Sequence, residues 1–228
     1  MIAAEAGEFS GLLRAMPHSR RLAWPVDFAR AGDVGGRRWL LVANGAGRER
    51  ARLAVREAAS RERIEAVVSV GYCGALDPAL RAGDLVAPSS VTDGRSEYPS
   101  HGVRTTIRHA AGVLFSTDHF VGTVEEKRRL RVETGAAAVD MESAAVAAEA
   151  GAGGLRFFCV RAVTDTAEEG FACDLDAMRD GDGRFSRARI VRAALRRPRA
   201  LIPELWLLGR RSRTASAALA EFLRTCEF

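Results

Sequence analysis

Two short motifs set carboxylates directly after apolar runs: Ala138-Val139-Asp140-Met141-Glu142-Ser143-Ala144 and, further along, Val160-Arg161-Ala162-Val163-Thr164-Asp165. The run Phe157-Phe158-Cys159-Val160 reads as a buried strand, too short and too rich in β-formers for a helix. In an α/β protein, ligands bind at the C-terminal ends of such strands. Two of these ends converging would form a pocket with acids and little water, a setting for glycosidic bond cleavage. Taken singly, each acid has a plainer reading. Asp165 suits a helix N-cap, and Glu142 suits the first turn of a helix, where the dipole favours negative charge.

The elements that would position these acids alternate. Residues 39–43 read as a strand, Asn44-Gly45-Ala46-Gly47 as a turn, and 48–60 as a helix with Ala51, Val55, Ala58 and Ala59 inward. A buried strand at 64–70 ends in Gly71-Tyr72-Cys73-Gly74, and further strands are expected at 84–91 and 113–116. Thr123-Val124-Glu125-Glu126 has the spacing of a capping box and starts a helix that runs to about Glu133. A strand at 136–140, a helix at 143–150 closed by Gly151, and a strand at 155–163 follow. The stretch 93–109 is weakly patterned and reads as a mobile connection. The alternation predicts an α/β fold: a single domain over 1–228 with a largely parallel or mixed central sheet and helices on both faces. The glycine turns match neither a dinucleotide fingerprint nor a P-loop, so structural turns are their default reading.

Composition narrows the function classes. The chain has 228 residues, 47% hydrophobic and 28% charged, as in an ordinary globular domain. No apolar stretch is long enough to span a bilayer, and Met1-Ile2-Ala3-Ala4-Glu5 lacks the basic and apolar regions of a secretory signal, which points to the cytoplasm. Cys73, Cys159, Cys173 and Cys226 are far apart, against a zinc site or a disulfide framework. Neither metal nor organic cofactor is expected. The net charge of +5 raises the alternative of a nucleic-acid-binding module. Against it, Lys127 is the sole lysine beside many arginines, as a GC-rich genome would produce, and the arginines gather at 184–213, away from the acids.

At these motifs the sequence resembles the nucleoside phosphorylase/nucleosidase family, which holds methylthioadenosine/S-adenosylhomocysteine nucleosidase and the purine nucleoside phosphorylases. Supporting pieces are Asn44-Gly45-Ala46-Gly47, Gly71-Tyr72-Cys73-Gly74-Ala75-Leu76, Gly83-Asp84-Leu85-Val86 and Ser116-Thr117-Asp118-His119-Phe120. The resemblance implies that Asp165 is the acid facing N7 of a departing purine. It implies that Glu142 holds the ribose hydroxyls over Met141, that Phe120 stacks on the base, and that the backbone of Val121 reads its edge. Glu8 would activate water, and Gly45, Gly74 and Arg161 would line the substrate site. The chemistry agrees: cleavage builds positive charge on the ribose and negative charge on the base, which carboxylates and an acid can respectively stabilise. Desolvation would keep a buried Asp165 protonated near neutral pH. His119 reads as a pocket-wall or surface residue.

The chain departs from the family in three places. Only Met1-Ile2-Ala3 is left for the first strand. Ser69 and Tyr72 stand where a phosphorylase would place the arginine and serine that bind phosphate, which favours hydrolysis, with phosphorolysis kept as the alternative and Arg48 as a phosphate candidate. The apolar run Leu201-Ile202-Pro203-Glu204-Leu205-Trp206-Leu207-Leu208, bordered by arginine pairs, reads either as a helix packed on the core or as a peripheral membrane contact. The basic-apolar segment at 184–228 resembles the hopanoid-associated phosphorylase-like branch, which implies a lipid-linked adenosine such as adenosylhopane. A purine nucleoside substrate, a homodimer and no nucleic-acid partner complete the expectation.

Overall fold

A computed structural model of the chain describes residues 1–171, Met178, Arg192 and 195–228. In chain order, β1 (Ile2–Ala3), a 3₁₀ turn (Ala6–Phe9) and α1 (Ser10–Arg14) precede β2 (Arg20–Arg21), β3 (Phe28–Val34) and β4 (Arg37–Ala43). Next come α2 (Arg48–Arg61), β5 (Ala66–Ala75), β6 (Leu85–Val86), β7 (Ser90–Thr92), β8 (Glu97–Pro99) and β9 (Val113–Ser116). Then follow α3 (Val124–Thr134), β10 (Ala138–Asp140), α4 (Ser143–Ala152), β11 (Arg156–Asp165) and α5 (Pro198–Thr225).

The strands form one mixed sheet in the order β2-β3-β4-β1-β5-β10-β9-β7-β8, with β11 and β6 branching from β5. β5 is its axis. It runs parallel to β1 and to the whole of β11, and antiparallel to β10. On one face, Ala51, Ala54, Val55 and Ala58 of α2, spaced at helical period, and the alanines of α4 pack on Val67, Phe157, Cys159 and Val163. On the other face, Leu12 of α1 and Leu219, Phe222 and Leu223 of α5 pack on Val68, Val70, Phe158 and Val160. Alternate residues of β5 and β11 feed the two layers, as the period of a strand requires.

Several expectations need correction. Gly71-Tyr72-Cys73-Gly74 lies inside β5 and is not a loop beyond it. The expected strand at 84–91 is two short strands, β6 and β7. The connection at 93–109 is pinned: β8 pairs with β7, and His101 donates its backbone N–H to the carbonyl of Phe157. α4 runs past Gly151 and is capped at Gly153. Ile2 and Ala3 suffice for an internal strand because β4 and β5 flank them on both sides. Part of the basic segment at 184–213, with Cys173, falls outside the described residues.

Candidate active site

A cavity of about 410 Å³ opens where β5, β10 and β11 end, and Glu8, Glu142 and Asp165 all line it. Larger hollows lie elsewhere, one of about 550 Å³ beside Arg37 and Phe228 and one of about 780 Å³ beside Arg14 and Glu221. Neither touches these acids, so size does not locate the chemistry.

Glu8 sits on the 3₁₀ turn after β1. Its carboxylate accepts backbone N–H groups from Ala4 (2.8 Å), Glu5 (3.0 Å) and Tyr72 (3.1 Å). These bonds fix the side chain while leaving one edge on the cavity. Burial pushes its carboxyl up to about 7, against the opposing pull of the N–H donors and the Arg161 charge. Such a group changes between acid and base near neutral pH. Gly71 permits the arrangement: a Cβ there would come within 2.6 Å of Arg161 Nη1 and 2.7 Å of Glu8 Oε1.

The two acids of Asp140-Met141-Glu142 have different fates. Asp140 turns inward and accepts from Ser116 Oγ (2.5 Å), the N–H (3.1 Å) and hydroxyl (2.6 Å) of Ser143, and Arg161 Nε (2.9 Å). Ser116 Oγ in turn accepts from the N–H of Ala144 at 3.0 Å. Asp140 and Ser116 therefore satisfy the first turn of α4. Glu142 precedes that helix but makes no capping bond. Its Oε1 instead accepts the N–H of Gly47 at 2.8 Å across the cavity rim, in the glycine turn after β4. Glu142 thus stands just ahead of the helix rather than in its first turn, and Asp140 serves the helix N–H groups.

Asp165 is the last residue of β11, where the register with β5 slips by one residue between Val163 and Asp165. Such an irregularity re-aims a side chain. Its Oδ1 accepts from the Thr164 hydroxyl at 2.8 Å, and its Oδ2 meets Lys127 Nζ at 2.5 Å. Desolvation raises its carboxyl above the ordinary range, and the Lys127 ammonium opposes that rise. A Cβ on Gly74 would lie 2.9 Å from Oδ2, so glycine is needed there. Asp165 caps no helix among the described residues: 166–171 form a turn and loop, and the N–H of Thr166 goes to Glu169.

Met141, Phe120, Val121 and Gly74 line the cavity as expected, with Thr117, Tyr72 and Ala46. Phe120 is held edge-on to Phe171, with ring centroids 5.1 Å apart. His119 stands at the mouth, bonded to Asp118 and Glu126, and the Asp118 hydrogen bond leads in raising its pKa. Two expected lining residues do not line it. Gly45 takes φ +86 beneath Arg50, and Ala46 meets the cavity in its place. Arg161 lies one layer behind, its guanidinium bound to Asp140, Ser69 (2.8 Å) and Ser143 (2.6 Å). Ser69 is taken up in the same cluster, and Tyr72 donates its hydroxyl to the Ser212 carbonyl at 3.0 Å. Arg48 also falls outside the cavity lining.

Lys127, bound to Asp165 behind the cavity, is the residue at the site that the motifs did not single out. Leu205 and Leu208 belong to the apolar run 201–208, expected as a core-packed helix or a membrane contact; on α5 they line the cavity. Lys127 did carry a signal, as the single lysine of the chain. Among the described residues, no three His, Cys, Asp or Glu side chains gather as metal ligands.

Residues 6–196 match the family profile of the Phosphorylase superfamily, most of the chain's length. The chain belongs to that superfamily. The superfamily fold extends to solved structures at low identity. The 5′-methylthioadenosine/S-adenosylhomocysteine nucleosidase of Neisseria meningitidis, in complex with methylthio-immucillin-A, superposes with TM-score 0.73 at 20% identity, over 98% of this chain and 96% of that one. The S-adenosylhomocysteine nucleosidase of Streptococcus pyogenes gives 0.73 at 19% identity, over 98% and 94%. A Helicobacter pylori nucleosidase variant with 5′-methylthioadenosine in its active site gives 0.72 at 17% identity, over 96% and 95%. Comparison with curated protein sequences returned no match.

Proposed function

We propose that this superfamily member cleaves the N-glycosidic bond of a purine nucleoside, adenine being the base, with water as the nucleophile. The observation that carries the reading is the convergence of Glu8, Glu142 and Asp165 on one cavity. Asp165 donates to the base nitrogen, and Phe120 packs on the base with Val121 at its edge. Glu142 holds the ribose hydroxyls above Met141 and stabilises the positive charge that grows on the sugar. Glu8, titrating near 7, takes the proton of the attacking water. The nucleosidases of like fold hold methylthioadenosine or its analogues, which supports the same class of substrate here.

Hydrolysis is favoured over phosphorolysis because the cations near the site are committed. Arg161 is bound to Asp140 and Lys127 to Asp165, so neither offers a phosphate a grip. The test is adenine release in phosphate-free buffer, with the sugar product identified by mass spectrometry. Free sugar supports the reading. Release that requires phosphate, with a sugar-1-phosphate product, replaces it with a phosphorylase.

The 5′ end of the substrate is proposed to be bulky and apolar, a lipid-linked adenosine such as adenosylhopane being the form considered. Leu205 and Leu208 of α5 support it by lining the cavity. The same helix exposes Ile202 (57%) and Trp206 (60%), with Arg210 stacked on Trp206 at 5.0 Å, which supports a peripheral membrane contact from the cytoplasmic side. No helix among the described residues is long and apolar enough to cross a membrane. A homodimer is proposed as the working assembly. Kinetics on methylthioadenosine against a long-chain 5′-alkyl adenosine, with flotation on anionic liposomes, test the first two. Light scattering tests the third.

A further inference from the structure

Of 34 lysine and arginine positions, 127 alone is lysine, and it is wholly buried. Nζ makes three contacts: Asp165 Oδ2 at 2.5 Å, the Thr166 carbonyl at 2.8 Å and the Glu169 carbonyl at 2.8 Å. Three acceptors around one nitrogen match the three donors of an ammonium. A guanidinium carries five N–H groups in a plane and would leave donors unpaired in this enclosed space. A chain that places arginine at every other such position therefore keeps an ammonium here for a physical reason.

The same three contacts also accommodate a second proton placement. If one proton moves from Nζ to Oδ2, the amine keeps two N–H groups for the carbonyls of Thr166 and Glu169. Its lone pair then accepts from the new O–H of Asp165. Every polar atom stays paired in both forms, so the proton crosses without breaking a hydrogen bond. The surrounding charges do not force one form. Glu169 is neutralised by two bonds from Arg211 of α5. The Cys73 thiol of β5 is held well up in pKa by burial and stays neutral. The Phe171 ring stands 5.5 Å from Nζ.

We propose that Lys127 is a positioning residue that shares a transferable proton with Asp165 and supplies it for the departing base. This rests on the reading of Asp165 as the acid that faces the base. In the reaction the C1′–N bond breaks and its electron pair goes to the base. Nζ passes its proton to Oδ2, the base nitrogen takes that proton from Asp165, and amine and carboxylate are left. The proton lost by the attacking water goes to Glu8, and solvent returns one proton from Glu8 to the pair. Without Lys127, Asp165 alone must hold the proton, and it loses it as pH rises through its own pKa. With Lys127, the pair can hold that proton on either Nζ or Oδ2.

Lys127→Met tests this through the pH profile of kcat. The loss relative to wild type is expected to grow by about tenfold or more between about pH 6 and about pH 9, as general acid help disappears. With 4-nitrophenyl ribofuranoside, whose leaving group needs no proton, the loss should be small and flat. An equal loss at every pH and with both leaving groups would overturn the proposal and leave Lys127 a packing residue. If the variant does not fold, wild type still decides. A single lysine gives a single ¹⁵Nζ resonance, which should shift on titration with adenine and in Asp165→Asn. A resonance indifferent to both would also overturn it. Failure of the wild type to release adenine from any nucleoside strikes the proposed function instead, and the resonance test remains readable.

Discussion

Asp140 and Asp165 are both buried aspartates at the ends of strands that pair with β5, and each is bound to a buried cation. Asp140 is saturated: two serine hydroxyls, a backbone N–H and Arg161 enclose it, and its bonds organise the start of α4. Among the described residues, Asp165 accepts only from Thr164 and Lys127, and it meets the cavity beside Gly74. A buried ion pair by itself therefore does not mark a catalytic acid. Both line the same cavity, and what separates them is how many protein donors each carboxylate already accepts. A carboxylate has about four lone-pair sites, and Asp140 accepts from four protein donors, three of them at Oδ2.

That contrast is open to direct attack. The largest expected effect is in Asp165→Asn: turnover falls by roughly 10²–10⁴-fold while the folded fraction stays near wild type, read by adenine release alongside thermal unfolding. Normal turnover in the folded variant would dissolve the distinction. Asp140→Asn should show the opposite balance. Removing one partner of a buried pair costs about 3–5 kcal/mol, so denaturant midpoints should drop sharply. A stable but inactive Asp140→Asn would move Asp140 into the chemistry.

Glu142→Gln should cost turnover more than stability, since Glu142 gives its side chain to the Gly47 N–H and the cavity and makes no capping bond to α4. A large fall in melting temperature with normal specific activity would return it to a structural role. The pH dependence sharpens the picture further. Glu8 is raised from 4.5 to about 7, so kcat/KM should rise with pH through about 7 as the base ionises. In the folded state Glu8 holds its proton more tightly than in the unfolded chain. Its contribution to stability is therefore present below 4.5 and is lost as pH climbs through about 7. A flat profile between these values would remove Glu8 as the base. The smallest effect is expected in Tyr72→Phe, which loses one bond to the Ser212 carbonyl and about 0.5–1.5 kcal/mol in stability, with modest change in turnover.

Much of this was legible in the chain itself. Apolar runs ending at Asp140 and Asp165, the helical spacing of Ala51, Val55 and Ala58, and Thr123 ahead of Glu126 are local patterns that fix strands, a helix face and a cap. Local chemistry also put acids at strand ends. It could not say which acid of Asp140-Met141-Glu142 would face inward, because that depends on Ser116, Ser143 and Arg161 arriving from three other elements. Nor could it carry Gly71-Tyr72-Cys73-Gly74 as strand: its glycines look like a turn until β11 pairs alongside and Glu8 and Arg161 need the space of a missing side chain. The pairing of Lys127 with Asp165, and the approach of Leu205 and Leu208 to the same cavity, join residues from separate elements. Sequence alone determines where strands and helices form, because those patterns repeat over a few residues. Tertiary structure decides which charges are spent on the fold and which are left for chemistry, because that is a matter of partners brought from a distance.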